Sequence, residues 1–187
     1  AAQPALRTAP PCAFVVFGAA GDLTRRKLMP AIARLIGRGS IREQFGVIGV
    51  ARKAFPPGRF AADITAALGE FAPETVEDSE ARDAFADRLD YVAGEFSDPA
   101  VYMELATALQ RLDAERGTAG NRLFYLATPP SEFETILTQL LDAGLISPPH
   151  REPWTRVVVE KPFGRDLSSA MELTRLVANV LDESQTF

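Results

Sequence analysis

Cysteine and histidine are almost missing from this chain of 187 residues. Cys12 is the only cysteine, which excludes an internal disulfide and any metal site built on thiolates. It is expected just before a first strand, half-buried. His150 is the only histidine. It lies in a proline-rich loop, SPPHREP, and is expected in solvent. A Ser-His-Asp arrangement would have to use it, and no neighbouring residue supports one. Basic residues are also short: 20 Lys and Arg against 25 Asp and Glu, for a net charge of −5. That balance argues against a nucleic-acid-binding surface, which is usually basic. No apolar run is long enough to span a membrane, and no G-x-x-x-x-G-K-[ST] loop occurs. The N-terminus, AAQPALRTAPP, lacks the apolar core of a signal peptide. Residues 1–12 are therefore expected to be a flexible lead and residues 13–187 one domain, with the cytoplasm as the expected location. No metal site is expected.

What is present is an alternation of short apolar runs and amphipathic stretches. Hydrophobic residues make up 47% of the chain, enough for a packed core. Ala13 to Phe17 is apolar throughout, as a strand buried on both faces of a parallel sheet should be. A helix follows through Arg34 and Ile36, with Leu28, Ile32, Leu35 and Ile36 on one face. Pro30 costs about 3 kcal/mol in a helix interior. Either the main helix begins near Met29 with Pro30 in its first turn, or it kinks there. Further strands are read at Phe45–Ala51, Tyr91–Gly94, Asn121–Ala127 and Trp154–Glu160. Helices are read at Arg59–Phe71, at Ser79–Leu89 with Ser79 as cap, and from Pro99 to about Arg116. Two more are read at Glu132–Leu141, capped by Ser131, and at Ser168–Leu181 with Leu173, Leu176, Val177 and Val180 inward. Alternating strands and helices predict an α/β fold, a Rossmann-type doubly wound parallel sheet.

The chain is organised around AFVVFGAAGDLTRRK, residues 13–27. An apolar strand stops at Gly18, two small residues follow, and Gly21-Asp22 opens a helix. Glycines let the backbone approach a pyrophosphate, and a helix N-terminus favours an anion. The dinucleotide fingerprint is G-x-G-x-x-G. Gly18 and Gly21 supply its last two glycines, and Val16 stands where the first would be. On its own this pattern also fits a plain strand-to-helix turn. At the end of the second strand, Val50-Ala51-Arg52 carries no acid. An acid there would bind the ribose hydroxyls of NAD, whereas an arginine accommodates the 2′-phosphate of NADP. The alternative for Arg52 is a surface charge. Lys161 follows the fifth strand, at the edge where α/β sheets place ligands; the alternative is a surface lysine.

The string GAAGDLTRRKLMP resembles the G-x-x-G-D-L-x-x-R/K-K signature of glucose-6-phosphate dehydrogenase. Val159 to Leu167, VEKPFGRDL, resembles that family's E-K-P-F-G-R-D-L signature, and NRLFYLATPP, residues 121–130, is similar to it as well. The likeness runs from about Phe14 to Phe187. The resemblance implies that Gly18, Ala19, Ala20, Gly21, Asp22, Leu23, Thr24, Arg25 and Arg52 bind NADP. It assigns Glu95 and Phe96 to the coenzyme as well. Asp22 beside phosphates is expected to act by capping the helix start. Arg25, Arg26 and Lys27 could offset its charge, with at least one in solvent. Ala20 replaces the Ser or Thr common in the family, and Phe133 a tyrosine found in some members. Lys161 is implied to meet both coenzyme and glucose 6-phosphate, with Pro162 cis beside it. The parent activity would be oxidation of glucose 6-phosphate to the 6-phosphogluconolactone with hydride transfer to NADP, in the pentose phosphate pathway. The family's catalytic R-I-D-H-Y-L-G-K-E stretch and its β+α domain would follow Phe187. This chain is thus expected to be a coenzyme domain that is inactive alone, homo-oligomeric only in a longer enzyme, with no nucleic acid or membrane partner. The alternative is a stand-alone, non-catalytic dinucleotide-binding module.

Overall fold

The computed structural model describes residues 8–160 and 167–187. Five parallel strands form one sheet in the order β3-β2-β1-β4-β5. They are β1 (Cys12–Phe17), β2 (Phe45–Ala51), β3 (Leu89–Ala93), β4 (Arg122–Leu126) and β5 (Thr155–Val159). The helices are α1 (Met29–Gly37), α2 (Arg59–Phe71), α3 (Ser79–Ala86), α4 (Pro99–Arg116), α5 (Phe133–Asp142) and α6 (Leu167–Val180). This is the doubly wound α/β sheet that the alternation predicts.

The packing follows from the composition of the strands. Every residue of β1 and β2 is buried, because helices cover both faces of the sheet. Successive side chains point to opposite faces. Ala13, Val15 and Phe17 therefore join Tyr102, Leu105 and Ile136 on the α4, α5 and α6 side. Phe14 and Val16 join Met29, Ile64, Leu68 and Phe85 on the α1, α2 and α3 side. Each fully buried Val, Leu, Ile or Phe stabilises the fold by about 1.5–3 kcal/mol relative to exposure. Phe17 lies opposite Val50 on one side and Leu126 on the other. Strands β1, β2 and β4 therefore end level, and the residues that follow them share one edge.

Several expectations need correction. Cys12 is not a half-buried residue before the strand; it begins β1 and is buried. Its burial pushes the thiol up to about 11. The described end of the lead, residues 8–12, is tied down: Ala9 N–H donates to Ser40 O at 2.8 Å, and Asn121 Nδ2 donates to Pro11 O at 2.9 Å. Leu35 is 40% exposed, and the inward face of α1 is Met29, Pro30, Ile32 and Ala33. Helix α3 stops at Ala86, and β3 starts at Leu89 rather than Tyr91. Its cap is Asp78, whose carboxylate accepts from Glu80 N–H at 3.1 Å, so Ser79 is already helical. Before α5, Pro130–Glu132 forms a 3-10 turn, and Ser131 makes no capping hydrogen bond.

After α6 the chain returns to the sheet. Thr186 lies opposite Val157 in a parallel bridge. Phe187 N–H donates to Val157 O at 2.9 Å, and Phe187 O accepts from Val159 N–H at 3.0 Å.

Candidate functional site

Strand β1 is followed in space by β2 on one side and by β4 on the other. The sequence crosses from β1 to β2 and later returns beyond β1, so the crevice at the carboxyl ends of β1 and β4 is the switch point of the sheet. Open α/β sheets bind ligands there. The Gly18 turn occupies that point. Gly18 has φ +86°, and a Cβ on it would lie 2.4 Å from Ala127 O and 3.2 Å from Thr128 Cγ2. Only glycine fits both the backbone conformation and the space. Val50 O at the end of β2 accepts from Gly18 N–H at 2.9 Å and from Ala19 N–H at 3.2 Å. Across the turn, Gly21 N–H donates to Gly18 O at 2.9 Å. Ala19 is buried while Ala20 and Gly21 are exposed. A Cβ on Gly49 of β2 would lie 2.8 Å from Ala19 Cβ and 2.7 Å from Phe60 Cζ, so a bare strand backbone lets the turn sit down on the sheet.

The helix that follows begins one residue earlier than expected. Gly21 O accepts the first helical bond, from Arg25 N–H at 3.3 Å. Asp22 therefore does not cap the helix; it sits in the first turn, with its carboxylate 3.6 Å from Arg26. Arg25, Arg26 and Lys27 are all exposed. Arg26 also lies 5.3 Å from the Phe71 ring centroid. Pro30 has no N–H for the carbonyl four residues back, and its ring crowds that carbonyl. The chain answers by widening Thr24–Leu28 into a π turn, in which Met29 N–H bonds to Thr24 O. The main α-helix then starts at Met29, with Pro30 in its first turn. Of the two readings of Pro30, the first is the one observed.

Two hydroxyls at this turn lack partners. Thr24 is completely buried, and Thr128 follows β4 beside Gly18. Neither Oγ1 has a hydrogen-bond partner among the described residues. An unpaired buried polar group costs about 1–3 kcal/mol. Thr128 enters the sequence reading only as part of NRLFYLATPP, with no role of its own. Its signal is a polar residue just beyond the strand that neighbours the glycine turn, which becomes readable once the β1–β4 pairing is known.

At the end of β2, Arg52 is exposed. The loop is held from below, since Tyr91 Oη donates to Lys53 O at 2.5 Å. Burial raises the Tyr91 phenol to about 12. Lys53 Nζ lies 4.6 Å from the Phe55 ring centroid. Glu95 is exposed after β3, but Phe96 is a core residue. Its ring meets Phe17 edge-on at 5.9 Å, and its carbonyl accepts from Tyr102 Oη at 2.8 Å. Phe133 is buried as well. At the same edge the Tyr125 hydroxyl donates to Glu160 Oε1. Burial and then the Glu160 carboxylate raise the Tyr125 phenol. Lys161 and Pro162, including the expected cis bond at Pro162, lie outside the described residues.

Away from this edge, His150 is exposed, with Nε2 3.7 Å from Asp182 Oδ1. Among the described residues, no group of three or more His, Cys, Asp and Glu could hold a metal ion. Nor is any helix long and apolar enough to cross a membrane.

The family model described as glucose-6-phosphate dehydrogenase, NAD binding domain, matches residues 15–187. The chain belongs to the glucose-6-phosphate dehydrogenase family. Over 181 residues it is 41% identical to a glucose-6-phosphate 1-dehydrogenase 2 of Mycobacterium bovis, covering 97% of this chain and 35% of the relative. A glucose-6-phosphate 1-dehydrogenase of Chlamydia pneumoniae is 40% identical over 183 residues, covering 97% of this chain and 36% of the relative. Among solved structures, a glucose-6-phosphate dehydrogenase in complex with its substrate glucose 6-phosphate superposes with a TM-score of 0.79 at 31% identity. That match covers 98% of this chain and 37% of the other. A glucose-6-phosphate 1-dehydrogenase from Mycobacterium avium gives 0.75 at 34% identity, covering 95% and 36%. The chain thus spans about a third of the length of the curated relatives it matches. The family's dinucleotide-binding domain, with its glycine turn at the switch point, is the part of the family described here.

Proposed function

We propose that this chain is the NADP-binding domain of a glucose-6-phosphate dehydrogenase, which in the longer enzyme oxidises glucose 6-phosphate to the 6-phosphogluconolactone. The observation that carries the reading is the Gly18 turn at the β1–β4 switch point, where a Cβ would strike Ala127 O at 2.4 Å. The bare backbone of the Gly18 turn would let the diphosphate approach, and the first-turn amides of the helix would receive it, since the N–H groups of Gly18, Ala19 and Gly21 already bond to carbonyls. Arg52, exposed at the end of β2 with no acid beside it, would meet the 2′-phosphate and set the preference for NADP over NAD. When bound, the nicotinamide ring supplies the hydride acceptor. Lys161, one residue beyond Glu160, would orient the sugar phosphate at that ring. The proton from the sugar's C1 hydroxyl needs a general base near neutrality. Exposed His150 is a poor candidate for it, so the domain by itself binds coenzyme without turnover. The protein would act in the cytoplasm and assemble as a homo-oligomer in its longer form.

Calorimetric titration of the chain with NADP and with NAD tests this. NADP is expected to bind more tightly, and Arg52→Ala to remove the preference by lowering NADP affinity alone. Equal affinity for the two coenzymes in the unaltered, folded chain would overturn the NADP assignment. Turnover of glucose 6-phosphate by the chain alone would overturn its assignment as a coenzyme domain only.

A further inference from the structure

We propose that Thr128 is a diphosphate-binding residue, its hydroxyl donating to a phosphate oxygen of a dinucleotide seated on the Gly18 turn. The inference rests on the coenzyme reading above, but no part of that reading assigns a role to Thr128.

The argument starts from what Thr128 touches. Its methyl lies 3.2 Å from where a Cβ on Gly18 would be, so the side chain stands over the bare backbone of the turn. It follows β4, whose next residue, Ala127, donates its N–H to Phe17 O at 2.9 Å and so is pinned to the end of β1. Thr128 is therefore fixed at the switch point by main-chain bonds, not by its own hydroxyl. That hydroxyl has no partner among the described residues. In native structures nearly all buried polar atoms are paired, and an exception calls for a ligand, a water or a role. A threonine has three staggered positions about χ1. One step exchanges the methyl over Gly18 with Oγ1 and turns the hydroxyl towards whatever occupies the turn. Exposed Ala20 offers no side-chain donor there. Within the turn, the N–H groups of Gly18, Ala19 and Gly21 already bond to backbone carbonyls, so a side-chain hydroxyl would add a donor where few amides are left. A hydroxyl donating to a phosphate oxygen makes a charge-assisted bond, roughly twice as strong as a neutral one. A phosphate oxygen is thus the partner that best matches this donor in this place.

The test compares Thr128→Val, which keeps the shape and removes the hydroxyl, with Thr128→Ser, which keeps the hydroxyl. NADP affinity is expected to fall about tenfold in Thr128→Val, the loss of one hydrogen bond to a charged group. Thr128→Ser is expected to bind like the unaltered chain. The NADP analogue without nicotinamide, 2′-phospho-ADP-ribose, should show the same loss in Thr128→Val. Adenosine 2′-monophosphate, which has no diphosphate, should bind both chains alike. The thermal midpoint of the ligand-free Thr128→Val chain should stay level or rise, since no protein partner is lost. Equal NADP affinity in Thr128→Val and the unaltered chain would overturn the inference while leaving the coenzyme reading intact. So would an equal loss for adenosine 2′-monophosphate, or a lowered midpoint with NADP affinity unchanged, which would assign the hydroxyl to a protein or buried-water partner. Absence of dinucleotide binding by the unaltered chain would overturn the coenzyme reading and the inference together.

Discussion

The two edges of the sheet are built on opposite principles. At the amino-terminal edge, polar side chains close on one another. Asp113 of α4 accepts from Arg122 Nη1 at 2.9 Å and from Gly120 N–H at 3.1 Å, and also from the Thr118 hydroxyl. Arg88 donates to Arg42 O at 2.8 Å. Asn121 bridges Pro11 O and Trp154 N–H at 2.9 and 3.0 Å. At the carboxyl-terminal edge Tyr91 and Tyr125 are paired with Lys53 O and Glu160, but bare glycine backbone faces outward, and Thr24 and Thr128 hold hydroxyls with no partner among the described residues. Local consistency is what a stable fold selects, and departures from it concentrate at functional sites. One edge ties the sheet together, and the other leaves two hydroxyls unpaired among the described residues.

Breaking the closed edge should cost stability alone. Asp113→Ala leaves the Arg122 guanidinium, 11% exposed, without its carboxylate. Loss of one partner of such a pair is expected to cost about 3 kcal/mol. The thermal midpoint should then fall by about 6–12 °C for a domain of this size. Coenzyme titration below the new midpoint should be unchanged; a parallel loss of affinity would mean that the two edges are coupled. Gly18→Ala attacks the open edge. Its φ of +86° and the 2.4 Å approach to Ala127 O should cost about 2 kcal/mol. Unlike Asp113→Ala, it should also abolish coenzyme binding in the folded chain. Binding that survives Gly18→Ala would show the turn to be structural only.

The closed edge should also set the acid limit of stability. Burial alone would push the Asp113 carboxyl up, but the Arg122 guanidinium, the Thr118 hydroxyl and the Gly120 amide together hold it below the usual range. A carboxyl depressed in the folded state adds stability above its unfolded pKa and loses it as the pH falls through the folded value. The unfolded value is about 3.9. Urea midpoints are therefore expected to drop as the pH goes below about 4 and to drop less steeply in Asp113→Asn. Equal slopes would remove Asp113 from the acid response.

Much of this division was legible in the sequence, and the reasons differ by region. The strands β1 and β2 read clearly because burial on both faces makes them continuous apolar runs. The glycine turn read clearly because the spacing of Gly18 and Gly21 is dictated by a local backbone path. The caps were misread by one residue because several residues there could cap: Asp78 and Ser79 are neighbours, as are Gly21 and Asp22. Leu35 was misplaced because the inward face of α1 is centred on Met29, Ile32 and Ala33, which leaves Leu35 on its flank. Phe96 and Thr128 were beyond local reading. Thr128 stands over Gly18 because β4 pairs with β1, more than a hundred residues apart in sequence, and Phe96 meets Phe17 only through the pairing of β3 with β2 and of β2 with β1.

The smallest expected effect concerns Thr24 and decides whether the open edge carries a standing cost. Thr24 is fully buried in the π turn forced by Pro30, and its hydroxyl has no partner among the described residues. A threonine inside a helix usually returns its hydroxyl to the carbonyl four residues back. Here that carbonyl belongs to Ala20, in the glycine turn, and no such bond forms. Thr24→Val keeps the branched shape and removes the orphaned group. The chain should gain up to about 1 kcal/mol, seen as a thermal midpoint higher by about 2–4 °C. A matching variant at the closed edge, Thr118→Val, should go the other way, because the Thr118 hydroxyl has a carboxylate to donate to. Opposite signs for the same chemical change would show that the free hydroxyls belong to the ligand-facing edge alone. A fall in both would mean that Thr24 is satisfied in solution and that the contrast between the edges rests on Thr128 and the glycines.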